Sequence, residues 1–329
     1  MFAARRDFDE RAGAAAGPVI EWKRKTVGLR YSLSYVKVFE ARFEALEDGR
    51  PFDPRRPAVQ QPAPPLPEVP AGYDVIVSRH ELLQAKIAAI ERLPNLLRYA
   101  PRQLPHYYTD LRGGPERAFR AMSAKTRSTL KRKVRHFEAF CGGALDWRVY
   151  RTPEEVQLFF ALAKDLVRKT YQQRLFESGL PDTADFRNQA LALARRDAVR
   201  AFLLFYGGKP AAYLYTAAPD GFLVYEYLGY DPEYAEHSPG TVLQYLALEM
   251  LFAEQRFPLY YWGYGYSQTK KVFSTGEVLG ADVYYFRPTA RNVAAVRLHE
   301  ASDRFAAGVG KLLERVNLKQ AIRRWLKRG

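Results

Sequence analysis

Between positions 199 and 231 the chain reads VRAFLLFY, GGKP, AAYLYTAA, PDG and FLVYEYLGYD in succession. Runs rich in β-branched and aromatic residues, separated by Gly-Gly and Asp-Gly turns, predict three antiparallel strands joined by tight hairpins. The next segments set the fold class: a loop PEYAEHSPGT, an apolar helix VLQYLALEMLFAEQ, a strand PLYYWGYGY and a late hairpin around EVLGADVYYF. Strands, loop, helix, strand and hairpin in that order predict an α/β fold built on a mixed, mostly antiparallel sheet flanked by helices.

Upstream, residues 51–70 hold eight prolines and read as a linker or a wrapped arm. The segment VIEWKRKTVGLRYSLSYVKVFEARF before it mixes β-branched and aromatic residues, as one long strand or a hairpin would. After it, YDVIVS reads as a strand and HELLQAKIAAIERL as a helix. Residues 121–141 form an amphipathic basic helix, with Leu130, Val134 and Phe137 on one face and Arg127, Lys131 and Arg135 on another. A capping box, Thr152 with Pro153 and Glu155, opens a further helix.

With 329 residues and 47% hydrophobic content the chain buries a sizeable core. No run of some twenty apolar residues occurs and MFAARRDFDE lacks the apolar stretch of a signal peptide, so a cytoplasmic protein is expected. The single Cys141 excludes an internal disulfide, and the five histidines are too scattered for a zinc site, so no metal is implied. A net charge of +15 points to an acidic partner. Six cations fall within residues 125–135 without an acid, and a second basic cluster, from Arg315 to Arg328, closes the chain; either is a solvated helix face or a docking surface. The tail VNLKQAIRRWLKRG sets Leu318, Ile322, Trp325 and Leu326 on one side, as an interfacial helix does.

Two stretches invite a phosphate reading. YYWGYGYSQTKK, residues 260–271, has glycines and lysines but fails the spacing of a P-loop, of a dinucleotide fingerprint and of a hydrolase elbow. The loop His237-Ser238-Pro239-Gly240-Thr241 stands between a strand and a helix, where free N–H groups and a positive dipole end favour an anion. An ordinary cap, with Ser238 as the capping residue, is the alternative. Glu226 sits mid-strand among apolar and aromatic neighbours, where desolvation raises a carboxyl towards a useful base. A paired or surface-facing carboxylate is the alternative there.

From about position 121 to 287 the chain resembles the GNAT acyltransferase superfamily, in its FemAB-like and CelD-like branch. The resemblance rests on SAKTRSTLKRKVR, the GGKPAAYLY hairpin, YDPEYAEHSPGTVL and the Gly263-x-Gly265 stretch ending in Lys270. It implies a GNAT-like fold, with two such halves side by side, divided as an arm at 1–72, a degenerate first half at 73–141, the acyltransferase domain at 142–290 and basic amphipathic helices at 291–329. It implies an acyl group moved from acyl-CoA, acetyl-CoA included, to an amine or hydroxyl of a cell-envelope or polysaccharide precursor. The donor's arm would lie along residues 222–230, on Tyr227, Leu228 and Gly229, and its pyrophosphate on Ser238, Gly240 and Thr241, with Lys270 nearby. Direct attack on a thioester needs a base and an acid. Glu226 is the first candidate base and His237 the second; Tyr264 and Tyr266 are candidates for the acid. An acyl carrier protein or aminoacyl-tRNA as donor, and a non-catalytic binder of membrane surfaces or nucleic acid, are the rivals, as is peripheral contact with the inner membrane through the tail.

Overall fold

The computed structural model describes residues 21–33, 36–50, 52–114, 116, 122–173 and 179–315. The segments 1–20 and 316–329, with the amphipathic tail and the opening decapeptide, lie outside the described residues. Two compact units emerge: unit 1 holds residues 1–103 and 280–329, and unit 2 holds 104–279.

Unit 1 begins with a hairpin, β1 (Trp22–Leu33) against β2 (Val36–Asp48), antiparallel from Trp22 opposite Asp48. β2 then runs parallel to β3 (Val75–Leu83). The proline-rich segment is a wrapped arm: Phe52 and Val69 are buried, and the Pro62 carbonyl accepts from Arg98 and from the Tyr285 hydroxyl. Prolines suit this role because their missing N–H groups need no partner.

The segment HELLQAKIAAIERL is not a helix. β3 continues through Leu83, residues 84–89 carry no regular structure, and the short strands β4 (Ile90–Arg92) and β5 (Leu97–Tyr99) come next. Leu82 accepts from the Val59 N–H and Gln84 donates to the Val59 carbonyl, so pairing with the arm overrides a local helical preference.

Unit 2 opens with β6 (Gln103–Asp110), whose first residue belongs to unit 1. The basic helix is α1 (Ala124–Phe140), capped by Ser123, whose Oγ accepts from the Thr126 N–H. Then come β7 (Asp146–Tyr150), α2 (Pro153–Gln173), α3 (Ala184–Ala194), and the expected meander β8 (Val199–Tyr206), β9 (Lys209–Ala217) and β10 (Leu223–Tyr230). A 3-10 turn, Pro232–His237, leads into α4 (Pro239–Glu254), then β11 (Leu259–Tyr264) and a short α5 (Gln268–Phe273).

The strand order in unit 2 is β6, β11, β10, β9, β8, β7, antiparallel except for β10 beside β11. Both faces are covered. Along β8, Val199, Ala201, Leu203 and Phe205 meet α2 and α3, while Phe202 and Leu204 meet α1 and α4. A strand buried on both sides reads as a continuous apolar run, which is why VRAFLLFY shows no alternation. α4 is apolar all round for the same reason, with Leu243, Ala247 and Leu251 among its buried residues. A guanidinium enters this core. Arg200 is 1% exposed and is held by Glu254 of α4, with a second contact to Asp197 at 2.8 Å. Burial is tolerated because the guanidinium is paired.

The late hairpin does not form. Residues 276–286 are a single strand, β12 (Gly276–Phe286), with Gly280 buried inside it rather than at a turn. Its later residues return to unit 1, where Asp282 binds Arg79 and accepts from the His80 N–H at 3.1 Å. Tyr284 to Phe286 pair with β5. α6 (Ala290–Arg315) completes unit 1, placing Val296 in a core with Val27, Phe43, Val75 and Tyr99. No helix among the described residues is long and apolar enough to cross a membrane. The units cut the chain at other places than the expected boundaries, because β12 and α6 pack with the N-terminal hairpin and the basic helix packs with the meander.

The capping box is reciprocal: Thr152 Oγ1 accepts from the Glu155 N–H at 3.3 Å, and Glu155 Oε2 accepts from the Thr152 N–H at 3.0 Å. Thr152→Ala should lower stability by about 1 kcal/mol in urea titration. An unchanged midpoint would show that the box does not secure the start of α2.

Candidate active site

β10 and β11 run parallel but are paired only at Leu223 with Tyr260 and Val224 with Tyr261. Beyond that point β10 follows β9 to Tyr230, opposite Ala212, while β11 follows β6 to Tyr264, opposite His106. The cause lies in two register shifts at the same level. Against β9, Tyr225 faces Thr216 and Tyr227 faces Tyr215, so Glu226 is an extra residue. Against β6, Tyr261 faces Tyr108 and Gly263 faces Tyr107, so Trp262 is an extra residue. A bulge bends its strand and sharpens its twist. Two bulges side by side part the strands.

The gap opens into a cleft of about 450 Å³ wholly inside unit 2. β10 lines it with Tyr225, Leu228 and Tyr230, α4 with Gly240, Thr241 and Gln244, and Trp262 and Lys270 close the far wall. Trp262 is fixed by its indole N–H, which donates to Thr109 Oγ1 at 2.8 Å. Lys270 donates to the Tyr264 carbonyl at 2.7 Å, and burial lowers its pKa.

At the end of the cleft Ser238 adopts a left-handed conformation, φ 56°, and makes no side-chain cap for α4. The ordinary cap is thereby ruled out. The three N–H groups expected to hold a pyrophosphate are not equivalent. Ser238 donates to the Ala235 carbonyl at 3.1 Å and Thr241 to the Ser238 carbonyl at 3.0 Å, both within the turn itself. Among the described residues, Gly240 keeps its N–H uncommitted to a main-chain carbonyl. A Cβ on Gly240 would stand 3.2 Å from the Tyr230 ring and 3.4 Å from Leu228, filling the cradle. Gln244, 2% exposed, has a buried Oε1 with no partner among the described residues. The volume falls within the range of small-molecule sites, about 300–1,000 Å³. An open cradle, a helix N-terminus and an orphaned buried amide oxygen fit a ligand that is part anion, part amide.

Glu226 does not line this cleft. It stands at the bulge beside Tyr215 and Tyr227, and burial pushes its carboxyl up to about 7. Burial, with this carboxylate as a further cause, pushes the Tyr215 and Tyr227 hydroxyls up as well. Tyr227 packs towards α2 and α3, and Gly229 is buried under Tyr213, whose ring would lie 2.3 Å from an added Cβ. Of the three β10 residues expected along the donor, only Leu228 lines the cleft.

His237 is not in the cleft either. Its ring stacks on Phe140 at 3.7 Å, and its Nδ1 lies 3.0 Å from His136 Nε2, so it belongs to the contact with α1. Tyr264 and Tyr266 are 55% and 74% exposed. Tyr266 lines a second cavity of about 580 Å³ with Tyr107, Lys271 and Glu277, and Ser267 lines both cavities. Gly263 and Gly265 have φ of 85° and 90°, which turns the chain out of β11 into α5. Trp262, Tyr225 and Gln244 escaped sequence reasoning, since a bulge and an unpaired amide leave no periodic signal.

A mixed sheet whose one parallel pair splays open over a helix N-terminus defines a class of transferase fold. Residues 124–271 match the family model of the acetyltransferase (GNAT) domain, a segment lying wholly inside unit 2. That segment is a GNAT-type acyltransferase domain, and the protein is an acyl-transferring enzyme. No curated protein matches the chain. Among solved structures, the C-terminal domain of a putative lysylphosphatidylglycerol synthetase from Agrobacterium fabrum is similar over 70% of this chain and 73% of that one, at 13% identity and a TM-score of 0.46. The L-PGS of Bacillus licheniformis is similar over 70% and 74%, at 12% identity and a TM-score of 0.43. The PaiA N-acetyltransferase of Thermoplasma acidophilum in complex with coenzyme A is similar over 34% and 75%, at 12% identity and a TM-score of 0.24.

The raised Glu226 pKa has a linkage consequence. A carboxyl held near 7 when folded and near 4.5 when unfolded supports the fold below 4.5, and that support is lost as pH rises through 7. Glu226→Gln should therefore stabilise the protein by on the order of 2 kcal/mol at about pH 8 and by little near pH 4, measured by urea titration across that interval. Equal stability at both ends would mean Glu226 is solvated.

Proposed function

We propose that unit 2 transfers an acyl group from a pantetheine thioester, of which acyl-CoA is the first to test, to an amine or hydroxyl. The carrying observation is the parted β10 and β11 pair with a desolvated carboxyl at its bulge. The fit of the cleft to a part-anion, part-amide ligand supports a pantetheine arm running from Gly240 past Gln244 towards Tyr225. When bound, the thioester supplies an electrophilic carbonyl and a thiolate leaving group.

The chain's own residues act around it. The Gly240 N–H and the positive end of α4 hold the phosphate. Gln244 orients the amides of the arm. The apolar wall of Tyr225, Leu228 and Trp262 excludes water from the thioester. Glu226 stands at the β10 bulge outside the cleft lining, so as the proposed base it would act through an intervening water: ionised above about pH 7, it would take up the proton of the attacking nitrogen or oxygen, which would then pass to the departing sulfur. This assignment prefers Glu226 to His237, whose ring is engaged with Phe140 and His136. Tyr266 and its cavity suit the acceptor side. The acceptor class is carried from the FemAB-like and CelD-like segments between residues 121 and 287: a cell-envelope or polysaccharide precursor. A cytoplasmic protein peripheral to the inner membrane accords with the basic tail.

With a working acceptor, kcat/KM should rise through a pKa of about 7 and level off above it. Glu226→Gln should remove that limb and lower kcat by about 10²- to 10⁴-fold. His237→Ala should leave the limb in place. A limb that persists in Glu226→Gln would assign the base elsewhere. Acetyl-CoA at a hundredfold its Kd should add about 2.7 kcal/mol to stability.

A further inference from the structure

We propose that the exposed basic face of α1 docks a small acidic carrier protein that presents the acyl thioester on a phosphopantetheine arm. The inference rests on the acyl-transfer reading of unit 2 and names which thioester the cleft receives. Its first ground is the cradle. A diphosphate needs several donors, and here two of the three expected N–H groups close the turn, at 3.1 Å and 3.0 Å, while Pro239 has none. Of these main-chain donors there remains the Gly240 N–H, beside the end of the α4 dipole, a closer match for the single phosphodiester of a carrier-borne arm than for a diphosphate.

The second ground is charge. Lys125, Lys131, Arg132 and Arg135 are exposed on α1, and no acid occurs between Ser123 and Phe137. At 1.5 Å per residue this stripe is about 15 Å long, the scale on which one helix lies against another. The opposite side of α1 is anchored by buried Leu130 and Phe137, so the cations sit on a fixed support.

The third ground is position. His136, on the exposed side of α1, lies 3.0 Å from His237, and Phe140 stacks on the same ring. His237 is followed by Ser238, which lines the cleft. A protein resting on α1 therefore stands at the phosphate end of the cleft, where an arm attached to its surface has to enter. RNA is the other polyanion, but the stripe interleaves no Phe, Tyr or Trp between positions 123 and 136 on which an unpaired base stacks. An acidic protein surface fits the pattern better.

The test uses the full chain and five probes: a bacterial acyl carrier protein with its phosphopantetheine, the same carrier without it, free pantetheine 4′-phosphate, CoA, and total tRNA. The phosphopantetheinylated carrier should bind at least about tenfold more tightly than the bare carrier and than CoA, and weaken as salt is raised. A Lys131→Glu, Arg135→Glu double variant should weaken carrier binding about tenfold and leave pantetheine 4′-phosphate binding unchanged. That unchanged affinity also reports an intact fold. If CoA binds as tightly as the loaded carrier, or the double variant binds the carrier as the parent does, the docking proposal is overturned and the acyltransfer reading stands. If tRNA binds through these cations and the carrier does not, the partner is RNA and the proposal is equally overturned. If no pantetheine compound binds, both fall.

Discussion

The paired bulges at Glu226 and Trp262 are the constraint on which the rest of the site depends. Without them β10 and β11 would stay hydrogen-bonded along their length and no cleft would exist. An unpaired main chain inside a protein is costly, so such a gap persists only where its edges are held from outside. Here β9 holds one edge to Tyr230 and β6 holds the other to Tyr264. The Trp262 indole, tied to Thr109, locks the second bulge in place.

The same geometry explains why one carboxyl has a raised pKa. Glu226 is carried into a half-buried position beside two tyrosines by being the extra residue in its strand, and loss of water raises its pKa to about 7. Its chemistry and the opening of the cleft are thus two results of one irregularity. Arg200 is buried too, yet it is paired with Glu254 and Asp197 and serves the core. Pairing, rather than burial alone, separates the charge that stays ionised from the one whose pKa is raised.

Much of the fold was legible because its signals are local. The turns at Gly207-Gly208 and Asp220-Gly221, the Thr152 box and the apolar run of α4 are each contained in a few neighbouring residues. The misreadings share one cause. HELLQAKIAAIERL has a helical pattern, but Val59, far away in sequence, takes its main chain into a sheet. EVLGADVYYF has a turn-like glycine, but the strand runs on through Gly280 on both sides. Among site residues, Leu228, Ser238, Gly240, Thr241 and Lys270 do meet in the cleft, because they follow the order of strand, loop and helix. Glu226, Tyr227 and Gly229 lie elsewhere, because the sheet face on which a side chain emerges changes at the bulge, and so do His237, held in the turn before α4 against α1, and Tyr264 and Tyr266, at and beyond the end of β11.

The sequence by itself determined the order of elements, the anion-favouring helix start and the basic stripe of α1, since hydrophobic period, turn residues and charge are written residue by residue. Only the tertiary structure decided which N–H groups of residues 238–241 have main-chain partners, which strand pair parts and which carboxyl loses its water. Those depend on register between strands distant in the chain, and a one-residue shift in register has no counterpart in local composition.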